Sequence, residues 1–113
     1  MTITSVSGIS GQTVAINAQT ASYTLTSTDA AKVITVTSSS ASTLTIPTNA
    51  SAPLPVGTRI GIVQEGTGQV TVAGASGVTV NGTPGLKLRA QYSHAELLQV
   101  TTDSWVLYGD ITA

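Results

Sequence analysis

Cysteine and phenylalanine are missing from this 113-residue sequence, and charged residues make up only 8% of it. Without cysteine there is no disulfide framework and no thiolate metal site. A soluble domain ordinarily devotes about a quarter of its residues to charge. Here the only cations are Lys32, Arg59, Lys87 and Arg89. Neutralising a run of phosphates takes several clustered cations, so no nucleic-acid partner is expected. The start, Met1-Thr2-Ile3-Thr4, lacks the positive and apolar regions of a signal peptide. No apolar run approaches the roughly 20 residues that cross a bilayer as a helix, so no membrane partner is expected either. One histidine without cysteine makes a zinc site improbable, and no metal or cofactor is expected.

What is present is a two-residue beat. Val33-Ile34-Thr35-Val36-Thr37, Thr43-Leu44-Thr45-Ile46, Gln69-Val70-Thr71-Val72 and Gly77-Val78-Thr79-Val80 alternate aliphatic with hydroxyl-bearing residues. A period of two puts one set on each face of a pleated strand. One face is then aliphatic, and the other is polar but uncharged. Several such strands separated by turn residues predict an all-β fold: a single antiparallel β-sandwich or barrel-like domain with short hairpins. No stretch has the period of an amphipathic helix.

Along the chain, residues 1–20 read as an extended N-terminal arm with a short strand at 13–17, and residues 21–113 as the β-domain. Tyr23-Thr24-Leu25-Thr26 opens that domain, and Ser27-Thr28-Asp29-Ala30 reads as a cap or turn. The Ser38–Ser42 turn is expected to join two strands, and Pro47, Pro53 and Pro55 bracket a loop. Glu65-Gly66-Thr67-Gly68 and Asn81-Gly82 read as hairpin turns, and the last hairpin closes around Thr101-Thr102-Asp103. Leu86 and Leu88 are expected inside, with Lys87 and Arg89 outside.

A search for catalytic chemistry finds little. His94 is the only imidazole, and no nucleophile-elbow motif accompanies it. The acids Asp29, Glu65, Glu96, Asp103 and Asp110 fall mostly in turns and at strand ends, with no Ca²⁺-loop spacing. The expectation is a protein with no catalytic, metal-binding or cofactor-binding residues, hence not an enzyme. Trp105 and Leu107 share one strand face and Val106 and Tyr108 the other, which predicts a strand buried on both sides, in the fold or at an interface, with Trp105 as a core anchor.

A longer pattern runs from Tyr23-Thr24-Leu25-Thr26 through Asp29-Ala30, Thr43-Leu44-Thr45-Ile46-Pro47, Pro55-Val56-Gly57-Thr58, Ile60, Ile62, Gln64, Gly66 and Gly68. It ends in Lys87-Leu88, Gln91-Tyr92-Ser93, Ala95 and Trp105-Val106-Leu107-Tyr108-Gly109-Asp110. Over residues 22–112 this resembles a small β-domain of tailed-bacteriophage virion proteins, found in tail-fibre proteins and as head decoration proteins. In that pattern Pro55 and Gly57 shape a turn, Trp105 anchors the core and Gly109 ends its strand. The resemblance implies a place in the phage particle, and the first expectation is a capsid decoration, or cement, protein: made in the host cytoplasm, placed on the outer surface of the head, bound noncovalently to the major capsid protein and to itself as a homotrimer. Taken as a stand-alone unit from Met1 to three residues past Asp110, the chain is expected to have no room for a fibre shaft. The arm, with Thr2, Ile3, Val6 and Ile9, is the candidate contact with capsid or neighbour. The alternative is a tail or fibre module that binds a receptor or glycan through Tyr23, Tyr92 or Trp105.

Overall fold

The computed structural model describes residues 13–113. The candidate contact residues Thr2, Ile3, Val6 and Ile9 lie outside them. Eleven strands and one 3₁₀ turn form two sheets. The strands are β1 (Ile16–Gln19), β2 (Tyr23–Thr24), β3 (Val33–Val36), β4 (Ser42–Ile46), β5 (Arg59–Gln64) and β6 (Val70–Gly74), then β7 (Thr79–Gly82), β8 (Lys87–Leu88), β9 (His94–Thr101), β10 (Ser104–Gly109) and β11 (Ile111–Thr112). The first sheet has the order β1-β3-β5-β9-β10-β7, and the second β11-β8-β6-β4-β2.

The chain is all-β, as its alternation predicts, but its winding is not that of an antiparallel sandwich. Successive strands cross from one sheet to the other: β1, β3 and β5 lie side by side in parallel, and β2, β4 and β6 do the same opposite them. The first half therefore stacks as coils of a short solenoid. The Ser38–Ser42 turn joins β3 to β4 as expected, but across the two sheets, and the hairpin expected at Glu65–Gly68 is corrected accordingly. Each of these turns carries the chain over the core instead of folding it back beside itself. Alternation reports which face a residue occupies and is blind to strand direction, which is why the sequence misleads here. The second half reverses. β9 runs antiparallel to β5 and pairs with β10 around Thr101–Asp103, where the predicted hairpin is found, with Asp103 at φ 60°. Asn81 and Gly82 belong to β7, parallel to β10, so they are not the expected hairpin turn. The expected strand at 13–17 begins instead at Ile16, and it is a member of the first sheet rather than part of a separate arm.

Between the sheets sit Ile34, Val36, Leu44, Ile46, Ile60, Ile62, Leu97 and Trp105, all essentially inaccessible. Each comes from an alternate position of its strand, and full burial of such a side chain contributes about 1.5–3 kcal/mol. Trp105 is the expected anchor at 2% exposure. The opposite face of β10 is not covered within the chain, where Val106 is half-buried and Tyr108 is 44% exposed, so the fold itself buries only one side of this strand.

Backbone sets the distance between coils at the corners. Gly68 N–H donates to Ser38 C=O at 2.8 Å, and a Cβ on Gly66 or Gly68 would lie 2.1 or 2.0 Å from the carbonyl oxygens of Ser38 and Ser40. Buried amides complete the corners. Gln64 Oε1 accepts from Val70 N–H at 3.0 Å. Gln99 Nε2 donates to the carbonyls of Leu54 and Pro55 at 2.8 and 3.0 Å. Buried backbone groups left without such partners would each cost about 1–3 kcal/mol.

The first coil is closed by a polar cluster. Thr26 caps the 3₁₀ turn Ser27–Asp29, and the Asp29 carboxylate reaches back to accept from the Thr26 N–H at 2.9 Å. Asn17 Nδ2 of β1 and the Tyr23 hydroxyl of β2 also donate to that carboxylate, at 2.9 and 2.7 Å.

Candidate functional site

The pairing of β5 with β9 determines which side chains meet on the outer face of the first sheet. Ile60 and Ile62 point into the core, so Arg59, Gly61 and Val63 point out. Ala95 and Leu97 point in, so His94 and Glu96 point out. The registers place Ile16, Val33, Gly61, Glu96 and Tyr108 in one row across five strands. Gly61 has no side chain to contribute, and the row sinks there. A Cβ at this position would meet Val33 Cγ2 at 3.0 Å and His94 Nε2 at 3.2 Å.

The result is an open depression of about 440 Å³ lined by Val33, Gly61, His94, Arg59 and Glu96, with Thr13, Val14, Ala31 and Lys32 at its rim. Ala31 is held in the left-handed region at φ 62°, with its N–H donating to the Arg59 carbonyl at 2.9 Å. That bond docks the Ala31-Lys32 corner against β5 beside the depression.

Charge is concentrated here. Two of the four cations, one of the five acids and the single histidine of the whole chain line this one depression. Arg59 Nε donates to Glu96 Oε2 at 2.8 Å, and the Tyr108 hydroxyl donates to the same oxygen. The Arg59 and Tyr108 hydrogen bonds hold the Glu96 carboxyl below its usual range, against the smaller opposing effect of burial. The same contact with Glu96 raises the Tyr108 hydroxyl and the Arg59 guanidinium. Near neutral pH the set is therefore a carboxylate, a guanidinium and a protonated phenol. The Arg59 side of the ion pair is 67% exposed, so the pair contributes little to stability. Its value lies in fixing the orientation of Arg59.

A second hollow, of about 370 Å³, lies among loops lined by Asn49, Pro53, Leu54, Pro55, Val56 and Thr102, with no ionisable side chain among them. Pro55 and Gly57 stand here. The Pro55 carbonyl accepts from Thr58 Oγ1 at 2.6 Å, Gly57 N–H donates to the Gln99 carbonyl at 2.8 Å, and Gly57 has φ 93°. A third cluster is a clasp. Arg89 forms a two-pronged pair with Asp110 at 2.7 and 2.9 Å, and Ser93 Oγ donates to the same carboxylate at 2.7 Å. Gly109 beside it has φ 130°, and a Cβ there would lie 2.7 Å from the His94 carbonyl oxygen.

The aromatic residues expected to form a receptor patch are dispersed. Trp105 is in the core, Tyr23 is tied to Asp29, and only Tyr92, 73% exposed, stands fully in solvent. Sequence reasoning did not bring Arg59 to Glu96, which are 37 positions apart. The available signal was the outward phase of both residues on alternating strands, but the pairing of those strands could not be read.

Among the described residues no group of His, Asp and Glu is placed to hold a metal ion, and no helix is long and apolar enough to cross a membrane. Compared with known proteins, the chain matches no family, no curated protein and no solved structure.

Proposed function

We propose that this chain is a structural protein of a bacteriophage virion, a decoration protein that clamps the assembled head. Three copies around a local three-fold axis would bridge neighbouring major capsid proteins without covalent bonds. The resemblance of residues 22–112 suggested this class, and one structural observation supports it. The four strands that border the sheets, β1, β7, β2 and β11, contain no charged residue and no proline. Free-standing sheet proteins normally protect such borders with lysine, proline or bulges. The borders here are short, two to four residues, but carry no charge, which suits a chain whose edges are covered by other subunits. A specific interface of about 1,600 Å² is typical, and a ligand that binds only the assembled shell stabilises it by mass action.

The test is to add the purified chain to expanded heads that lack it and to map the particles by electron microscopy. Copies repeated across the head surface, with raised resistance of the shell to heat, are the expected result. Copies confined to one vertex, or no binding to heads at all, would overturn the reading. The depression supplies a single carboxylate, Glu96, whereas glycoside hydrolysis needs a flanking pair. This too favours a binding role over turnover.

A further inference from the structure

The depression on the first sheet carries an inference that goes beyond decoration and stands independently of it. We infer that it is a binding site for a sugar acid, a hexuronic or nonulosonic acid unit. The ligand carboxylate would meet Lys32 and Arg59, and its ring hydroxyls Glu96 and His94.

Three observations converge on this class. The first is charge. Lys32 and Arg59 face one carboxylate, so the lining is net positive in a chain whose overall charge is −1. Arg59 uses one of its five N–H donors on Glu96. The rest of its fork is the shape that grips a carboxylate. The second is the acceptor beside those cations. Glu96 Oε2 takes the bonds from both Arg59 and Tyr108, and Oε1 accepts none among the described residues. An acidic peptide would set its own carboxylates and carbonyls against that oxygen. A sugar acid brings hydroxyl donors to it and an anion to the cations at the same time. The third is the floor. Val14 is 49% exposed at the rim, and Val33 and the bare backbone of Gly61 form an apolar base for the C–H face of a ring. The volume of about 440 Å³ falls in the range of small-molecule sites.

The glycine is central to this inference. Alanine at position 61 would press against Val33 and the His94 ring, raising the floor where the ring would lie.

The experiment is an NMR titration of the ¹⁵N-labelled full chain with glucuronate and N-acetylneuraminate, with glucose and acetate as controls. Saturating shifts confined to the surroundings of Lys32, Arg59, Gly61 and His94 are expected, with Kd on the order of 1 mM for at least one sugar acid. Glucose and acetate should each bind about tenfold more weakly, and Lys32→Gln and Gly61→Ala should each weaken the sugar acid about tenfold. Lys32→Gln changes a rim side chain and keeps the test decisive if Gly61→Ala does not fold. Absence of saturation with either sugar acid overturns the inference. So does acetate matching the sugar acid, which would make this an anion site only, or glucose matching it, which would remove the role of charge.

Discussion

The Tyr23 hydroxyl donates to the Asp29 carboxylate at 2.7 Å, joining the shortest strand of the first coil to a carboxyl with no accessible surface. Asn17 and the Thr26 N–H complete the shell around that carboxylate. A solenoid end normally exposes the rim of its core. Here a satisfied polar cluster occupies that position, and a buried carboxylate is tolerated because every neighbour donates to it.

Removing the acceptor leaves its donors stranded. Asp29→Ala is expected to destabilise the fold by about 3 kcal/mol, and Tyr23→Phe by about 1 kcal/mol. Urea unfolding followed by Trp105 fluorescence measures both, and equal losses would mean that Asp29 is not the shared acceptor on which the other bonds depend.

The same cluster sets the acid limit of the fold. Burial alone would raise the Asp29 carboxyl, but the bonds from Thr26, Tyr23 and Asn17, with Lys32 nearby, outweigh it and hold the group below its ordinary value. A folded pKa below the unfolded one, about 3.9 for Asp, stabilises the fold fully above the unfolded value. That contribution is lost as pH falls through the folded one. The urea midpoint should be level from about pH 7 to 5 and drop below about pH 4. Asp29→Asn should remove most of that drop. Tyr23 acts at the other end: burial, then Asp29, raises its hydroxyl, so stability should fall as pH rises past about 10.

Glycines at the corners divide into two kinds. Alanine at Gly66 or Gly68 would drive a Cβ to within 2.1 or 2.0 Å of another coil's backbone oxygen. Each substitution is expected to cost about 3 kcal/mol or to prevent folding. Gly57→Ala meets nothing within 4 Å and suffers only from φ 93°, a cost of about 1 kcal/mol. Thermal unfolding of the three variants should separate them in that order.

Ala18 lies exposed on β1, the border of the first sheet. Ala18→Lys puts a charge there, at an exposed position. Stability should change by less than about 0.5 kcal/mol, while self-association in sedimentation and binding to heads should both fall. Unchanged association would place the contact elsewhere.

Much of the burial pattern was legible from phase alone. Ile60 and Ile62 on β5, and Leu88 set against Lys87 on β8, face as their alternation requires. A cap or turn at Ser27–Ala30 was legible from its Ser, Thr and Asp residues, although the capping side chain is Thr26, expected at the end of a strand. The direction of the strands was not. A turn that reverses a chain beside itself and one that carries it across a core use the same glycines, and what separates them here is the carbonyls of Ser38 and Ser40 stacked against Gly66 and Gly68. Because direction was hidden, so was every meeting of side chains across the first sheet. His94 looks solitary in sequence, and only the antiparallel register of β9 on β5 sets its ring over Gly61.

The absence of ions from β1, β2, β7 and β11 also bears on how this protein should respond to its medium. Counter-ions screen attraction between charges but leave hydrogen-bonded strands and packed methyl groups intact. Any complex made through those borders should therefore survive concentrated brine that would strip a charge-held partner away, and should yield instead to urea.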